Sequence, residues 1–140
     1  MTSENLVRIA GEMKKLLPVL AATSLVLVGC GTSVQKDASY KSALDLRDAY
    51  VASGAVKEPD CDEKITQDAK AKWGWQTVNC GMNTVLLVAD SQSALDEQVA
   101  KDLKYGTARQ AILVGPNWLV RGPEFEVKDV QKSLGGQIKS

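Results

Sequence analysis

Ala111-Ile112-Leu113-Val114-Gly115-Pro116-Asn117-Trp118-Leu119-Val120 reads as two short β-rich runs around a turn. Branched and aromatic side chains suit a pleated, half-buried surface. Pro116 presets the first turn angle, and Asn117 tolerates the position after it. This is the clearest hairpin in the chain, and the other elements can be placed around it. Gly122-Pro123 opens a helix with Pro near its first position, Val127, Val130 and Leu134 form its buried stripe, and Gly135-Gly136 closes it. Upstream, Asp90 or Ser91 caps a helix in which Leu95, Val99 and Leu103 recur every four residues and which Gly106 ends.

A second strand pair precedes that helix. Gly74-Trp75-Gln76-Thr77-Val78-Asn79-Cys80 contains β-formers, Gly81-Met82-Asn83 is the turn, and residues 83–89 hold Val85-Leu86-Leu87-Val88. A continuous apolar run of that kind is expected of a central strand covered on both faces. Residues 40–53 form the first helix, with Tyr40, Ala43, Leu44, Tyr50 and Val51 on one side and Gly54 as its stop. The order is α-ββ-α-ββ-α. It predicts an α+β domain with a four-stranded, mainly antiparallel sheet and helices packed on one face.

The N-terminal part has a different character. Lys14-Lys15 precede an uncharged apolar run over residues 16–29 that stops at Cys30. Fourteen residues make about 21 Å of helix, short of a hydrocarbon core of about 30 Å. The run reads as the apolar region of a signal peptide over residues 1–29; residues 1–12 fit that scheme poorly, which suggests a start at Met13. The alternative is a longer leading region in which Arg8 adds positive charge, and both give the same mature product. Leu27-Val28-Gly29-Cys30 looks like a bacterial lipobox. In that reading Cys30 becomes the first residue and carries the acyl chains; a plain secretory signal is the alternative. Two or three chains, at about 0.8 kcal/mol per buried methylene, hold a protein on a membrane essentially permanently.

Export places the domain in an oxidising compartment, where the two other cysteines, Cys61 and Cys80, are expected to form a disulfide. The bridge is read as a staple, since neither cysteine belongs to a C-x-x-C pair. Residues 30–39, the lipid-bearing cysteine and a polar stretch, read as a tether, and residues 40–140 as the extracytoplasmic domain.

The chain has 17 basic and 17 acidic side chains and no histidine. Balanced charge argues against nucleic-acid binding, which relies on clustered lysine and arginine. Without imidazole, mechanisms of the Ser-His-Asp and Cys-His kind are excluded. The acidic residues Glu58, Asp60, Asp62 and Glu63 lack calcium-loop spacing and read as a solvated turn. No serine-lysine motif in an apolar setting and no carboxylate pair stands out. Neither a metal nor a cofactor is expected. Of the three tryptophans, Trp118 follows the hairpin turn among apolar residues and reads as core, whereas Trp73 and Trp75 lie in a more polar stretch and form the candidate binding surface.

With Cys30, Leu46-Arg47-Asp48-Ala49, Ala52-Ser53-Gly54, Val114-Gly115-Pro116-Asn117-Trp118-Leu119-Val120 and Leu134-Gly135-Gly136 in place, the pattern resembles the small uncharacterised lipoproteins of actinobacteria. The resemblance covers most of the exported part. It implies an envelope location and a fold, but no reaction. The expected function is a non-enzymatic, membrane-anchored binding or accessory module. Its partners are membrane lipid through Cys30 and a cell-wall glycan or a membrane protein. A prophage-type superinfection-exclusion protein that occludes a membrane protein is the alternative.

Overall fold

The computed structural model describes residues 34–140. The expected signal peptide, Cys30 and residues 31–33 of the tether lie outside the described residues. In chain order the elements are α1 (Ala43–Ala52), β1 (Gln67–Asp68), α2 (Lys70–Trp73), β2 (Trp75–Cys80), β3 (Thr84–Ala89), α3 (Gln92–Tyr105), β4 (Gln110–Val114), β5 (Trp118–Pro123), α4 (Glu124–Leu134) and β6 (Gln137–Lys139). The strands form one sheet in the order β1-β2-β3-β5-β4-β6, with every neighbouring pair antiparallel. The chain is therefore α+β with an antiparallel sheet, as its sequence predicts.

Two features of the expected architecture need correction. The sheet has six strands rather than four, because β1 pairs Gln67 with Thr77 and β6 pairs Ile138 with Leu113 outside the four expected strands. Strands of two and three residues are too short to show an alternating pattern. Together with the one-turn helix α2, they change the order to α-β-α-ββ-α-ββ-α-β. The helices also occupy both faces of the sheet. Leu86 and Val88 of β3 pack with α1 and α4, whereas Leu87 and Ala89 pack with Leu95 of α3. The apolar run through β3 has this cause, since alternate side chains point to opposite faces.

The larger core lies on the α1–α4 face. Leu46 and Tyr50 of α1, Val127, Val130 and Leu134 of α4, and Val78, Leu113, Trp118 and Val120 of the sheet are buried there. Each such side chain contributes about 1.5–3 kcal/mol relative to exposure. Ser42 starts α1 by accepting a hydrogen bond from Asp45 N at 3.2 Å. Val51, expected on the apolar stripe, is exposed instead.

Residues 34–40 are fastened to this body. Asp37 N donates to Leu134 O at 2.9 Å, and Asp37 Oδ1 accepts from Gly136 N at 2.8 Å. Asn117 accepts from Tyr40 N at 3.0 Å and donates to Tyr40 O at 2.7 Å. Trp118 Nε1 donates to Ala38 O at 2.8 Å. The chain thus joins the sheet at the end that carries the β4–β5 turn.

Cys61 and Cys80 are joined by a disulfide across an antiparallel bridge, with their Cα atoms 3.8 Å apart. Backbone bonds from Asp62 N to Asn79 O and from Gly81 N to Asp60 O flank it. The acidic stretch is held against β2 in this way, and Arg47 Nη1 donates to the Asp62 and Glu63 carbonyls. Among the described residues no cluster of potential metal ligands forms, and no helix is long and apolar enough to cross a membrane.

Candidate functional site: a polar cleft beside the third helix

Helix α3 covers only part of its face of the sheet. Ser91 Oγ caps it by accepting from Ala94 N at 3.1 Å, and Leu95 is fully buried against Leu87, Ala89, Ile112 and Leu119. Two turns later the side turned to the sheet is Asp102, which is 7% exposed, while Leu103 points outward. The reason is Arg121 of β5. Its Nη1 donates to Asp102 Oδ1 at 2.7 Å, and Gln98 Nε2 reaches the same oxygen at 3.3 Å. A carboxylate this buried needs such a partner. Guanidinium has five N–H donors, so the pair leaves further donors of Arg121 for other partners.

Open space lies on either side of this pair. One cleft, of about 250 Å³, has Trp75, Thr77, Asn79 and Gln67 from the sheet and Gln98 from α3 along its walls. The sheet register sets its floor: Gln67, Thr77, Leu87 and Leu119 form one cross-strand row, and Asn79, Val85 and Arg121 the next. A second cleft, of about 340 Å³, continues beyond Asp102 and Arg121 to Thr107, Gln110 and Lys139. Among the described residues the side chains of Gln67, Thr77 and Asn79 and the indole N–H of Trp75 have no intramolecular hydrogen-bond partner.

The two tryptophans expected as a binding surface both stand on the α3 side and differ in character. Trp75 is half-buried, packs against the α3 cluster and lines the smaller cleft. Trp73 is 51% exposed, and its ring is flanked by Lys72 Nζ at 5.1 Å and Lys101 Nζ at 5.5 Å. Between them Gly74 takes φ 73°, which turns the chain from α2 into β2. Lysines over the Trp73 ring occupy the surface on which a sugar would stack. Trp118 is buried on the opposite face, with its ring 6.1 Å from that of Tyr40.

The Asp102–Arg121 pair is absent from the residues singled out in the sequence. Two signals point to it: an aspartate next to the four-residue apolar period of α3, and an arginine closing the apolar run Leu119-Val120. A second polar cluster was equally hidden. At the end of the sheet opposite the β4–β5 turn, Glu126 Oε1 accepts from Tyr50 Oη at 2.5 Å and from Thr84 Oγ1 at 2.7 Å. These groups lie under a shallow cleft of about 300 Å³ rimmed by Met82, which is 99% exposed, and Phe125, which is 73% exposed.

Burial, reinforced by the Glu126 carboxylate, pushes the Tyr50 phenol far above its ordinary value of 10.0. In the unfolded chain the same phenol ionises near pH 10, so above that pH the unfolded state binds fewer protons than the native one. Stability therefore falls as pH rises through and beyond about 10. Tyr50→Phe should flatten that alkaline decline, and urea melts of both proteins at about pH 9 and pH 11 read the difference. An equal decline in the variant would show that Tyr50 does not carry it.

Comparison of the chain with protein-family models, with curated proteins and with solved structures returned no match.

Proposed function

We propose that the chain is an extracytoplasmic lipoprotein, acylated at Cys30, whose α+β body is a non-enzymatic binding or accessory module on the outer face of the cytoplasmic membrane. The observation that carries this reading is the Cys61–Cys80 disulfide. Such bridges persist in oxidising compartments, and the lipobox-like Leu27-Val28-Gly29-Cys30 supplies a route to one. A binding role draws support from the α3-side clefts. Their carboxylate, Asp102, is engaged by Arg121 at 2.7 Å.

The anchor has a direct test. Cys30→Ser should release the protein from membranes or leave it unprocessed, and mass spectrometry of the wild-type chain from its host should show acyl mass on a cleaved N-terminal cysteine. Membrane retention of a cleaved Ser variant, or an unmodified thiol in the wild type, would refute the lipidation.

A second reading, an interaction protein that occludes another membrane protein, is favoured by Met82 and Phe125. Both are exposed apolar side chains on one cleft, at the end of the sheet opposite the point where the chain joins it. Exposed apolar side chains grouped on one cleft suit a protein partner. A membrane protein cross-linking to a photoreactive group at position 82 would favour this reading over a glycan.

A further inference from the structure

Resting on the envelope reading above, we infer that the two clefts on the α3 side form one glycan-binding groove, which takes a short saccharide chain bearing a carboxylate. Asn79 provides the first argument. Asparagine is disfavoured in strands, yet Asn79 stands at a paired position of β2 opposite Val85 and lines the cleft. Its amide, with those of Gln67 and Gln98 and the Thr77 hydroxyl, surrounds a space of about 250 Å³. Amides offer donor and acceptor on one planar group, which matches adjacent sugar hydroxyls. Trp75 completes that wall with an indole, which presents an apolar ring and an N–H donor. The volume suits one pyranose ring.

The second argument is charge. Asp102 fixes Arg121 by one N–H, and Arg121 borders both clefts. Lys139 lines the second cleft together with Arg121 and Asp102. A carboxylate substituent on the second ring would meet the remaining Arg121 donors, and guanidinium binds carboxylates in paired hydrogen bonds. An extended peptide would prefer a sheet edge, and here the edges are the two-residue β1 and the three-residue β6.

The test uses the full chain carrying Cys30→Ser and isothermal calorimetry with two probes, the acidic trigalacturonate and the neutral tri-N-acetylchitotriose. We expect saturable binding of trigalacturonate, at least about tenfold tighter than the neutral trimer, and a preference that shrinks with added salt. Asn79→Val should weaken binding by about tenfold or more. Lys139→Ala should narrow the preference for the acidic probe, and Trp73→Ala should leave both affinities unchanged. Arg121→Gln removes the paired donor and leaves Asp102 buried; where it unfolds the protein, the Lys139 and Asn79 variants decide.

The inference is overturned if the folded protein shows no saturation with trigalacturonate up to about 10 mM. Affinity that survives Asn79→Val, or that depends on Trp73, also overturns it. A tighter neutral trimer removes the carboxylate. An acylated Cys30 in the wild-type chain together with a failed titration would remove the groove and keep the envelope reading. An unmodified Cys30 with successful titration would do the reverse.

Discussion

Trp118→Ala should destabilise the domain by about 3–5 kcal/mol, the usual cost of truncating a buried aromatic to alanine. Trp118 is the largest of the fully buried side chains, and the surrounding structure is built to it. A Cβ on Gly115 would lie 2.0 Å from indole Cε2, so the turn that sets the β4–β5 hairpin needs a residue without a side chain where the ring crosses it. The ring also holds the chain ahead of α1, because its N–H donates to Ala38 O and it lies beside the tilted ring of Tyr40. Truncation thus removes apolar contacts from the α1–α4 core and orphans a hydrogen bond. For a domain of this size the loss corresponds to a fall in Tm of more than about 10 °C. Trp118→Phe keeps much of the volume but not the donor, and should cost less. Thermal and urea melts check both, and a loss below about 1 kcal/mol for the alanine variant would show that the cavity closes by repacking.

The same hairpin shows how far the sequence is legible. Its two runs and the Gly115-Pro116-Asn117 turn are local signals, so β4 and β5 appear where their residues predict them, with β5 extended to Pro123. Ser91 at the start of α3 and the Val127-Val130-Leu134 stripe of α4 are local in the same sense. The face on which a helix packs is not local. It depends on which way the connection from β3 crosses the sheet, and α3 crosses away from α1 and α4. Only the unbroken run Val85-Leu86-Leu87-Val88 carries a trace of that choice, since it requires cover on both faces. The edge strands β1 and β6 are recruited by pairing alone. The site divides in the same way. Trp75 is legible as an aromatic residue in a polar stretch, whereas the Asp102–Arg121 pair joins residues 19 apart through the register of β5 with β3. Neither residue announces its partner.

Removing the Cys61–Cys80 bridge, by reduction or by Cys61→Ala with Cys80→Ala, should destabilise the domain by about 3 kcal/mol on the chain-entropy model. The bridged residues are 19 apart in sequence, so the bridge restricts a loop of intermediate length in the unfolded chain. In the native state Cys80 is 7% exposed and belongs to the main core, so the alanine pair also loses sulfur packing and should melt below the reduced wild type. The loss should show first near the bridge. The loop it closes carries the bonds Asp62 N to Asn79 O and Thr66 N to Thr77 O, and then Gln67 of β1. Amides of Asp62 and Thr66 should therefore lose hydrogen-exchange protection before those of β3 and β5, which lie in the sheet interior. Because Gln67 walls the smaller α3-side cleft, its loosening should also weaken any ligand held there. A reduced protein with an unchanged Tm and unchanged exchange at Asp62 would mean that the bridge constrains nothing the fold does not already hold.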